Sequence, residues 1–310
     1  MFLYGAARCI YTSCCNKMPV LNITKFYLAK QEIIDHFNRL GINIFSDTKL
    51  SEILCNNRAE WRLGSTWSYY EFINAMLNKT PLKKIEIKFP SKDYIRYSWG
   101  EYSILNLAAS LNRSAYLSHY SAMFFHNLTE QIPKSIYINL EQPAKSMQSG
   151  ELIQKNIDRA FSQKPRMTNN SGIFEDHKIY LLNGKNTGRL GVEDFQLNEM
   201  IPVTNIERTL IDISVRPFYS GGVSQVLNAY KLAKEKNVSI NKLTALLEKI
   251  NYIYPYHQVI GFYLETAGYK ESQIELLNKF EIKYNFYLTY NMIEKEYSPK
   301  WKLFYPKGFK

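Results

Sequence analysis

The apolar residues of the first hundred positions change their spacing in a fixed order, and this order constrains the fold more than any other feature. Over residues 23–40 they recur at helical intervals, and Gly41 follows as a helix stop. Residues 42–45 alternate as a short strand does, and a second, short helix is marked by Leu50, Ile53 and Leu54. The chain therefore begins with a helix, a strand and a helix.

A third helix and a hairpin complete this pattern. The spacing predicts a helix over residues 66–78, with Tyr69, Ile73 and Met76 on one face, and strands over residues 82–89 and 94–99. Helix, strand, helix, helix and hairpin is the order of a winged helix-turn-helix, in which the third helix enters a DNA groove. We therefore predict a winged helix-turn-helix DNA-binding domain over residues 18–100.

The remaining sequence predicts a larger, mixed α/β C-terminal domain over residues 101–310, so the fold class is α+β. Its helices are expected at residues 103–111, 115–127, 205–215, 222–236, 240–250, 256–267 and 271–279. Its strands are expected at residues 134–140, 178–182, 200–203, 282–290 and 301–305. Residues 1–17 precede a second methionine, Met18, and we interpret them as an upstream extension or a disordered tail, which leaves the true start codon open.

Charge and cysteine usage narrow the class of protein. Lys and Arg number 39 against 28 Asp and Glu, a formal charge of +11, and the first hundred residues hold 14 of the basic and 8 of the acidic ones. A basic balance of this size suggests a polyanionic partner. The four cysteines, Cys9, Cys14, Cys15 and Cys55, show no zinc spacing and are interpreted as free thiols. With no signal peptide and no apolar run long enough for a bilayer, we expect a cytoplasmic protein without a membrane partner.

Two groups of residues in the predicted winged helix are candidates for DNA contacts. On the third helix these are Thr66, Trp67, Tyr70 and Asn74, with Glu71 beside them, and on the hairpin they are Lys83, Lys84, Lys88, Lys92 and Arg96. Asparagine can pair with adenine in the major groove, and the cationic groups can contact phosphates. The alternative is that the lysines only protect a sheet edge and that the helix residues serve surface or packing roles.

A second candidate segment covers residues 201–222. Thr204 to Glu207 resembles a capping box at the start of a helix, and Arg208 and Asp212 stand four residues apart, so they can pair across one turn. Together with Glu207 and Arg216 they either fix packing or grip an acidic partner or RNA.

Enzyme signatures are largely missing. There is no GxxxxGK[ST] loop, HExxH, GxSxG or kinase motif, and the five histidines are scattered without metal spacing. Glu86-Ile-Lys88 and Glu281-Ile-Lys283 each resemble half of a nuclease metal site, but neither has a convincing upstream aspartate. We expect no catalytic residues, no metal and no cofactor, and therefore a protein that is not an enzyme.

Several motifs in one order resemble the AbiEi family of antitoxins. They are Tyr-Leu-Ser-His-Tyr-Ser-Ala-Met-Phe-Phe-His-Asn-Leu-Thr-Glu-Gln-Ile-Pro at residues 116–133, Val-Thr-Asn-Ile-Glu-Arg-Thr-Leu-Ile-Asp at 203–212, Arg216-Pro217 with Gly221-Gly222, and Tyr-Pro-Tyr-His-Gln at 254–258 with Gly-Phe-Tyr-Leu-Glu at 261–265. The resemblance covers most of the chain and is weakest over residues 1–17.

This resemblance implies a regulator with two roles. The winged helix would repress its own operon by binding promoter DNA, and the C-terminal antitoxin domain would counteract a cognate nucleotidyltransferase toxin. Systems of this kind are linked to abortive phage infection and are classed as type IV, in which the antitoxin acts without stable binding of the toxin. Two alternatives stay open: a metal-dependent nuclease, and a ligand-sensing transcription factor without a toxin partner.

Overall fold

The computed structural model describes residues 20–144, 151–196 and 199–309, which contain eleven α-helices and three β-sheets in a mixed α+β fold. The proposed extension over residues 1–17, with Cys9, Cys14 and Cys15, lies outside these ranges. The chain forms two compact units. The first takes in the chain through Gly41 and Asp47–Lys83, and the second takes in Ile42–Ser46 and the chain from Lys84 onward.

The first unit is helical. Its helices are α1 (Val20–Arg39), α2 (Asp47–Asn57) and α3 (Tyr69–Lys79). Aromatic rings fill its core: Phe26 stacks on Trp67 with ring centroids 5.7 Å apart, and Trp61 stacks on Phe72 at 6.0 Å. All four rings are buried, and aromatic pairs in such geometry stabilise a core beyond the area that they bury. All three predicted helices are present within a few residues of their expected bounds.

The predicted strand and hairpin form a three-stranded sheet. Its strands are β1 (Ile44–Phe45), β2 (Lys83–Lys88) and β3 (Asp93–Ser98), in the order β1-β3-β2. Strands β1 and β3 are antiparallel, with Ile44 opposite Ser98. The predicted order of helix, strand, helix, helix and hairpin is therefore present. The compact units divide at Lys83–Lys84, whereas the sequence placed the domain boundary at Gly100, because Ile85, Ile87 and Phe89 share a core with the following sheet.

That following sheet has six strands. They are β4 (Tyr116–Leu117), β5 (Ser135–Glu141), β6 (Ser171–Phe174), β7 (His177–Gly184), β8 (Val192–Gln196) and β9 (Met200–Thr204), in the order β6-β7-β5-β4-β9-β8. The central pair β5 and β7 is parallel, as are β4 and β9, and the other neighbours are antiparallel. The sequence predicted β5, β7 and β9 and missed the other three strands.

Helices pack around a second core in the same unit. Helix α4 (Ile104–Ser110) packs in the core that the six-stranded sheet shares with the hairpin, and the helices of the second core are α5 (His119–Phe125), α6 (Gln154–Phe161), α7 (Ile206–Val215), α8 (Val223–Glu235), α9 (Ile240–Ile250), α10 (Tyr256–Thr266) and α11 (Glu271–Ile274), with short 3₁₀ turns at Pro217–Tyr219 and Glu275–Leu277. Helix α7 is central, because every residue from Glu207 to Ser214 is buried. A helix buried all round must bring its charged groups inside with partners.

Two sequence predictions in this region are corrected. The helix expected over residues 115–127 is instead strand β4 followed by helix α5, because Tyr116 and Leu117 pair with β5 and His119 takes a left-handed φ of 51° at the junction. The capping box expected from Thr204 to Glu207 is absent: the cap of α7 is Asn205, whose side chain accepts a hydrogen bond from the Arg208 amide. The Thr204 hydroxyl bonds the Thr209 hydroxyl at 2.8 Å.

A small sheet lies near the C-terminus. Its strands are β10 (Phe286–Tyr287), β11 (Lys295–Ser298) and β12 (Leu303–Pro306), in the order β10-β12-β11. The sequence predicted β10 and β12, with longer bounds, and missed β11. Within the described ranges no helix combines the length and the apolar character needed to cross a membrane.

Candidate functional site

Helix α3 presents the polar face that the sequence assigned to DNA. Tyr70 is 69% exposed, and Asn74, one turn further along, and Thr66, before the helix, are also exposed. Glu71 is not available to a base, because its carboxylate accepts hydrogen bonds from the Ser68 amide and hydroxyl in a capping box. The residues of this group that face solvent are therefore Thr66, Tyr70 and Asn74.

Trp67 does not lie on that face. Helix α3 begins at Tyr69 with Ser68 as its cap, three residues later than predicted, so Trp67 precedes the helix. Its side chain is 3% exposed and stacks on Phe26, and we therefore correct its expected position from the surface to the core. Arg58 holds this turn in place by donating hydrogen bonds to the Gly64 and Trp67 carbonyls at 2.9 and 2.8 Å.

The hairpin separates its side chains by strand alternation. Ile85 and Ile87 point inward, and the exposed residues are Lys83, Lys84, Glu86 and Lys88. Lys92 at the turn is also exposed, with its Nζ 4.5 Å from the centre of the Tyr94 ring. Four of the five predicted cations are therefore exposed on the hairpin.

Arg96 is the exception. Its guanidinium donates to the Ser110 carbonyl from both Nε and Nη2, at 3.0 and 2.7 Å, and to the Leu111 carbonyl at 2.7 Å. These carbonyls end helix α4, where unpaired C=O groups need donors and attract positive charge. The expectation that Arg96 reaches out to phosphate is therefore corrected: its charge is directed to a helix terminus.

The second candidate group meets around helix α7. Arg208 is 3% exposed and Asp212 6%, and the Arg208 Nε donates to Asp212 Oδ1 at 2.8 Å, as their spacing predicted. Arg208 Nη1 also donates to the Leu190 carbonyl at 2.6 Å. Burial disfavours a charged arginine, but Asp212, Tyr252 and Tyr116 together outweigh burial and raise the Arg208 pKa above its ordinary value.

A carboxylate that the sequence did not predict, Glu141, holds the loop before β8 beside Arg208 and Asp212. Glu141, at the end of β5, accepts the Thr187 amide at 3.0 Å, the Thr187 hydroxyl, and the Arg189 amide at 3.2 Å. Burial opposes the charge of Glu141, but these hydrogen bonds outweigh it and lower its pKa. Thr187 in turn accepts from Arg208 at 3.2 Å, so the loop links the two charged groups.

Tyrosines enclose the same cluster. The Tyr116 hydroxyl donates to Glu141 at 3.2 Å and accepts from Asn139 at 2.6 Å. Burial, followed by the charge of Asp212, raises the pKa of both Tyr116 and Tyr252, so both hydroxyls stay neutral. Apart from Arg208 and Asp212, the sequence signalled none of these members, because they come from separate strands and loops.

Glu207 and Arg216 lie at opposite ends of α7. Glu207 accepts the Ser239 amide at 3.3 Å and pairs with Lys242 at 3.4 Å, so it ties α7 to the start of α9. Arg216 is half-buried and donates to the Asn183 carbonyl at 3.3 Å. Of the four motif residues, Arg216 has the most solvent access.

A buried histidine lies near Arg216. His119 is 4% exposed, and its Nδ1 is 2.9 Å from the Ser118 hydroxyl. Burial, and then the charges of Arg216 and Arg208, lower its pKa well below the ordinary value, so the ring is neutral at physiological pH.

The residues suggested for a nuclease lie apart in the sequence and in different surroundings. Glu86 is exposed on β2 with its carboxylate 3.9 Å from Lys84, and Glu281 is exposed after the Glu275–Leu277 turn. Among the residues that the structure describes, no group of three His, Cys, Asp or Glu side chains is arranged to hold a metal.

The comparisons with known proteins concern the fold. No family model matches this sequence, and no curated protein does. The structure is similar to the crystal structure of the RV2827C protein from Mycobacterium tuberculosis, with a TM-score of 0.55 and 17% identity, over 89% of this chain and 91% of that chain. At this identity the similarity establishes a shared fold.

Proposed function

We propose that this chain is an antitoxin of the AbiEi type and the transcriptional autorepressor of its own operon, acting in the cytoplasm. The observation that supports DNA binding is the exposed polar face of α3, with Tyr70 and Asn74, together with exposed Thr66 just before the helix, in a helix, strand, helix, helix, hairpin order. In winged helix-turn-helix proteins this helix reads bases and the hairpin contacts phosphates.

The hairpin lysines supply the second support for DNA binding. Lys83, Lys84 and Lys88 are exposed on a single strand, and Lys84 pairs with exposed Glu86 at 3.9 Å. Exposed ion pairs of this kind contribute little to stability. The lysine ammonium groups can therefore leave water and Glu86 and contact phosphate oxygens instead.

The antitoxin half rests on the motif resemblance. The matching segments supply helix α7 and its surroundings, and Arg216 at the end of that helix is half-exposed. We propose that this unit counteracts a cognate nucleotidyltransferase toxin, without requiring a stable complex with it.

Promoter binding tests the DNA half. Changing Lys83, Lys84 and Lys88 together to alanine should weaken binding to the chain's own promoter and reduce the slope of log K against log salt by about 1 to 3, since each phosphate contact contributes about 0.9. A matched variant removes three exposed lysines of the second unit, Lys231, Lys236 and Lys249, and so changes the net charge equally. If the variant without the three hairpin lysines binds the promoter as tightly as the wild type does, the hairpin does not contact DNA.

Growth rescue tests the antitoxin half separately. Co-expression of the chain with the adjacent nucleotidyltransferase should restore growth, and the hairpin variant should rescue as well as the wild type because it alters only DNA contacts. Absence of rescue by the wild-type chain would reject the antitoxin role and leave the repressor role standing.

A further inference from the structure

The small C-terminal sheet carries three aromatic side chains abreast on one face. Tyr287 of β10 and Tyr297 of β11 both pair in register with Phe304 of β12, so the three form a line across all strands. The Phe304 ring centre is 5.2 Å from that of Tyr287 and 4.9 Å from that of Tyr297. We call these three residues the aromatic row. Leu303 and Tyr305, which alternate with Phe304, are buried on the opposite face.

Contacts around the row hold its two tyrosines in orientation. The Tyr287 ring stacks on Phe161 of α6, and its hydroxyl donates to Asp158 at 2.9 Å. Burial and then this carboxylate raise the pKa of Tyr287 to about 12. The Tyr297 hydroxyl donates to Asn285 Oδ1 at 2.7 Å. The rings are therefore preorganised, and little side-chain entropy is lost when a ligand stacks on them.

The row is open to solvent at its centre and at the β11 side. Tyr297 is 40% exposed and Phe304 is half-buried, so both large rings keep part of their surface in contact with solvent. An aromatic surface that remains accessible on a sheet is a feature of binding faces.

A cation lies over this surface. Lys295 of β11 is exposed, and its Nζ is 4.8 Å from the Phe304 ring centre and 5.3 Å from that of Tyr287. Two other lysines of this region already form ion pairs: Lys300 pairs with Glu265 and Glu271, and Lys307 pairs with Glu294. Within the described ranges no carboxylate lies within 4.0 Å of the Lys295 Nζ, so this charge is available to an anion. Residues 281–310 hold six lysines and three glutamates, which favours a negatively charged ligand.

We infer that the aromatic row binds unpaired nucleotides of RNA. Nucleobases stack on exposed aromatic rings whatever their sequence, and a lysine beside the rings neutralises the phosphate that links two stacked bases. Phe304 and Tyr297 would each take one base, and the Lys295 ammonium would move from the ring faces to the intervening phosphate. Paired bases of a duplex do not offer these faces, and unpaired bases are displayed chiefly by loops and ends of RNA. This binding is separate from the promoter binding proposed for α3 and the hairpin.

Fluorescence anisotropy with the full chain tests the inference. The probe is a fluorescein-labelled, unstructured RNA dodecamer of adenylate and uridylate at low salt, compared with single-stranded DNA of the same length and with a duplex. Tyr297→Ala should weaken RNA binding about tenfold, which is within the typical contribution of one stacked base. Lys295→Glu should weaken it by about the same factor, because attraction of the phosphate is replaced by repulsion. Ile293→Ala, at a 96% exposed position between β10 and β11, and Lys307→Ala are the matched controls and should bind as the wild type does.

Each outcome of this experiment either supports or overturns the inference. Selective loss of RNA binding in Tyr297→Ala and Lys295→Glu, with promoter affinity and melting temperature retained, supports the inference. Wild-type affinity in both variants overturns it, as does failure of the wild-type chain to bind the RNA at all. Equally tight binding of the single-stranded DNA overturns the assignment to RNA. Phe304→Leu adds a further variant, and if it lowers the melting temperature, Tyr297→Ala and Lys295→Glu decide the matter.

Discussion

Replacing Arg208 with methionine tests whether the charged cluster around α7 holds the second unit together. The substitution keeps an unbranched apolar stem but removes the guanidinium, which donates to Asp212 at 2.8 Å and to the Leu190 carbonyl at 2.6 Å. Asp212 is only 6% exposed, so its carboxylate would stay buried without a cation. Breaking a buried pair in this way costs about 3–5 kcal/mol. We expect the free energy of unfolding at pH 8 to fall by about that amount.

The pH dependence of this loss follows from Asp212. Burial raises the pKa of Asp212 even though Arg208 opposes the rise, and without Arg208 the pKa in the folded state lies higher still. An acid whose folded-state pKa lies above its unfolded value binds its proton more tightly when folded, so stability is lost as pH rises through that range. The difference between Arg208→Met and the wild type should therefore be largest at pH 8 and smaller near pH 5.

Urea unfolding followed by circular dichroism and by tryptophan fluorescence measures this difference. Trp301 is buried in the second unit, so the fluorescence transition includes that unit. Adding Asp212→Leu to Arg208→Met should recover part of the loss, because no buried charge then remains. Lys242→Met is the control: it breaks pairs of a half-exposed lysine and should cost about 0–1 kcal/mol. A loss below about 1 kcal/mol at pH 8, or an equal loss at both pH values, would refute the reasoning.

Three further outcomes follow from particular contacts. His257 has a pKa lowered to about 4 by burial, so its NMR signals should not titrate between pH 8 and 5, and the stability that it contributes should be lost as pH falls from about 6.5 toward 4. Gly261→Ala should lower the free energy of unfolding by about 1–3 kcal/mol, because the added methyl overlaps the buried Trp301 ring, whereas Gly64→Ala meets only ordinary contacts and should change it far less in the same melting experiment. Arg96→Ala should lower the melting temperature while leaving the salt slope of promoter binding unchanged; a slope reduced as much as in the lysine variant would restore Arg96 to the phosphate contacts.

The elements that the sequence predicted are those with a strong local period. The hairpin is an example, because alternation alone directs Ile85 and Ile87 inward and leaves Lys84 and Lys88 outside. Strand β4 shows the opposite case, since it is two residues long and is held by its partners in the sheet. Its two residues carry no alternation of their own, and for that reason β4 was absorbed into a predicted helix.

The site residues that the sequence predicted are likewise those with a local spacing signal. The pairing of Arg208 with Asp212 follows from helical spacing, whereas the link from Glu141 to Thr187 joins residues 46 positions apart and has no local signal. Trp67 and Arg96 were misplaced for a related reason: a tryptophan beside the polar face of a predicted helix and an arginine in a strand are expected at the surface until the groups that they meet are known. Those groups are the Phe26 ring and the end of α4.

The geometry around α7 also decides how antitoxin variants should be interpreted. Glu207, Arg208 and Asp212 are engaged inside the unit, so substitutions there reduce growth rescue through unfolding, whatever surface acts on the toxin. Arg216 differs, because it is half-exposed and its hydrogen bonds to the Asn183 carbonyl are long, at 3.3 and 3.4 Å. Arg216→Gln should therefore melt within a few degrees of the wild type. If it nevertheless loses rescue, the surface at the end of α7 takes part in antitoxicity; if it rescues fully, that surface does not, and the motif resemblance at this helix reflects packing.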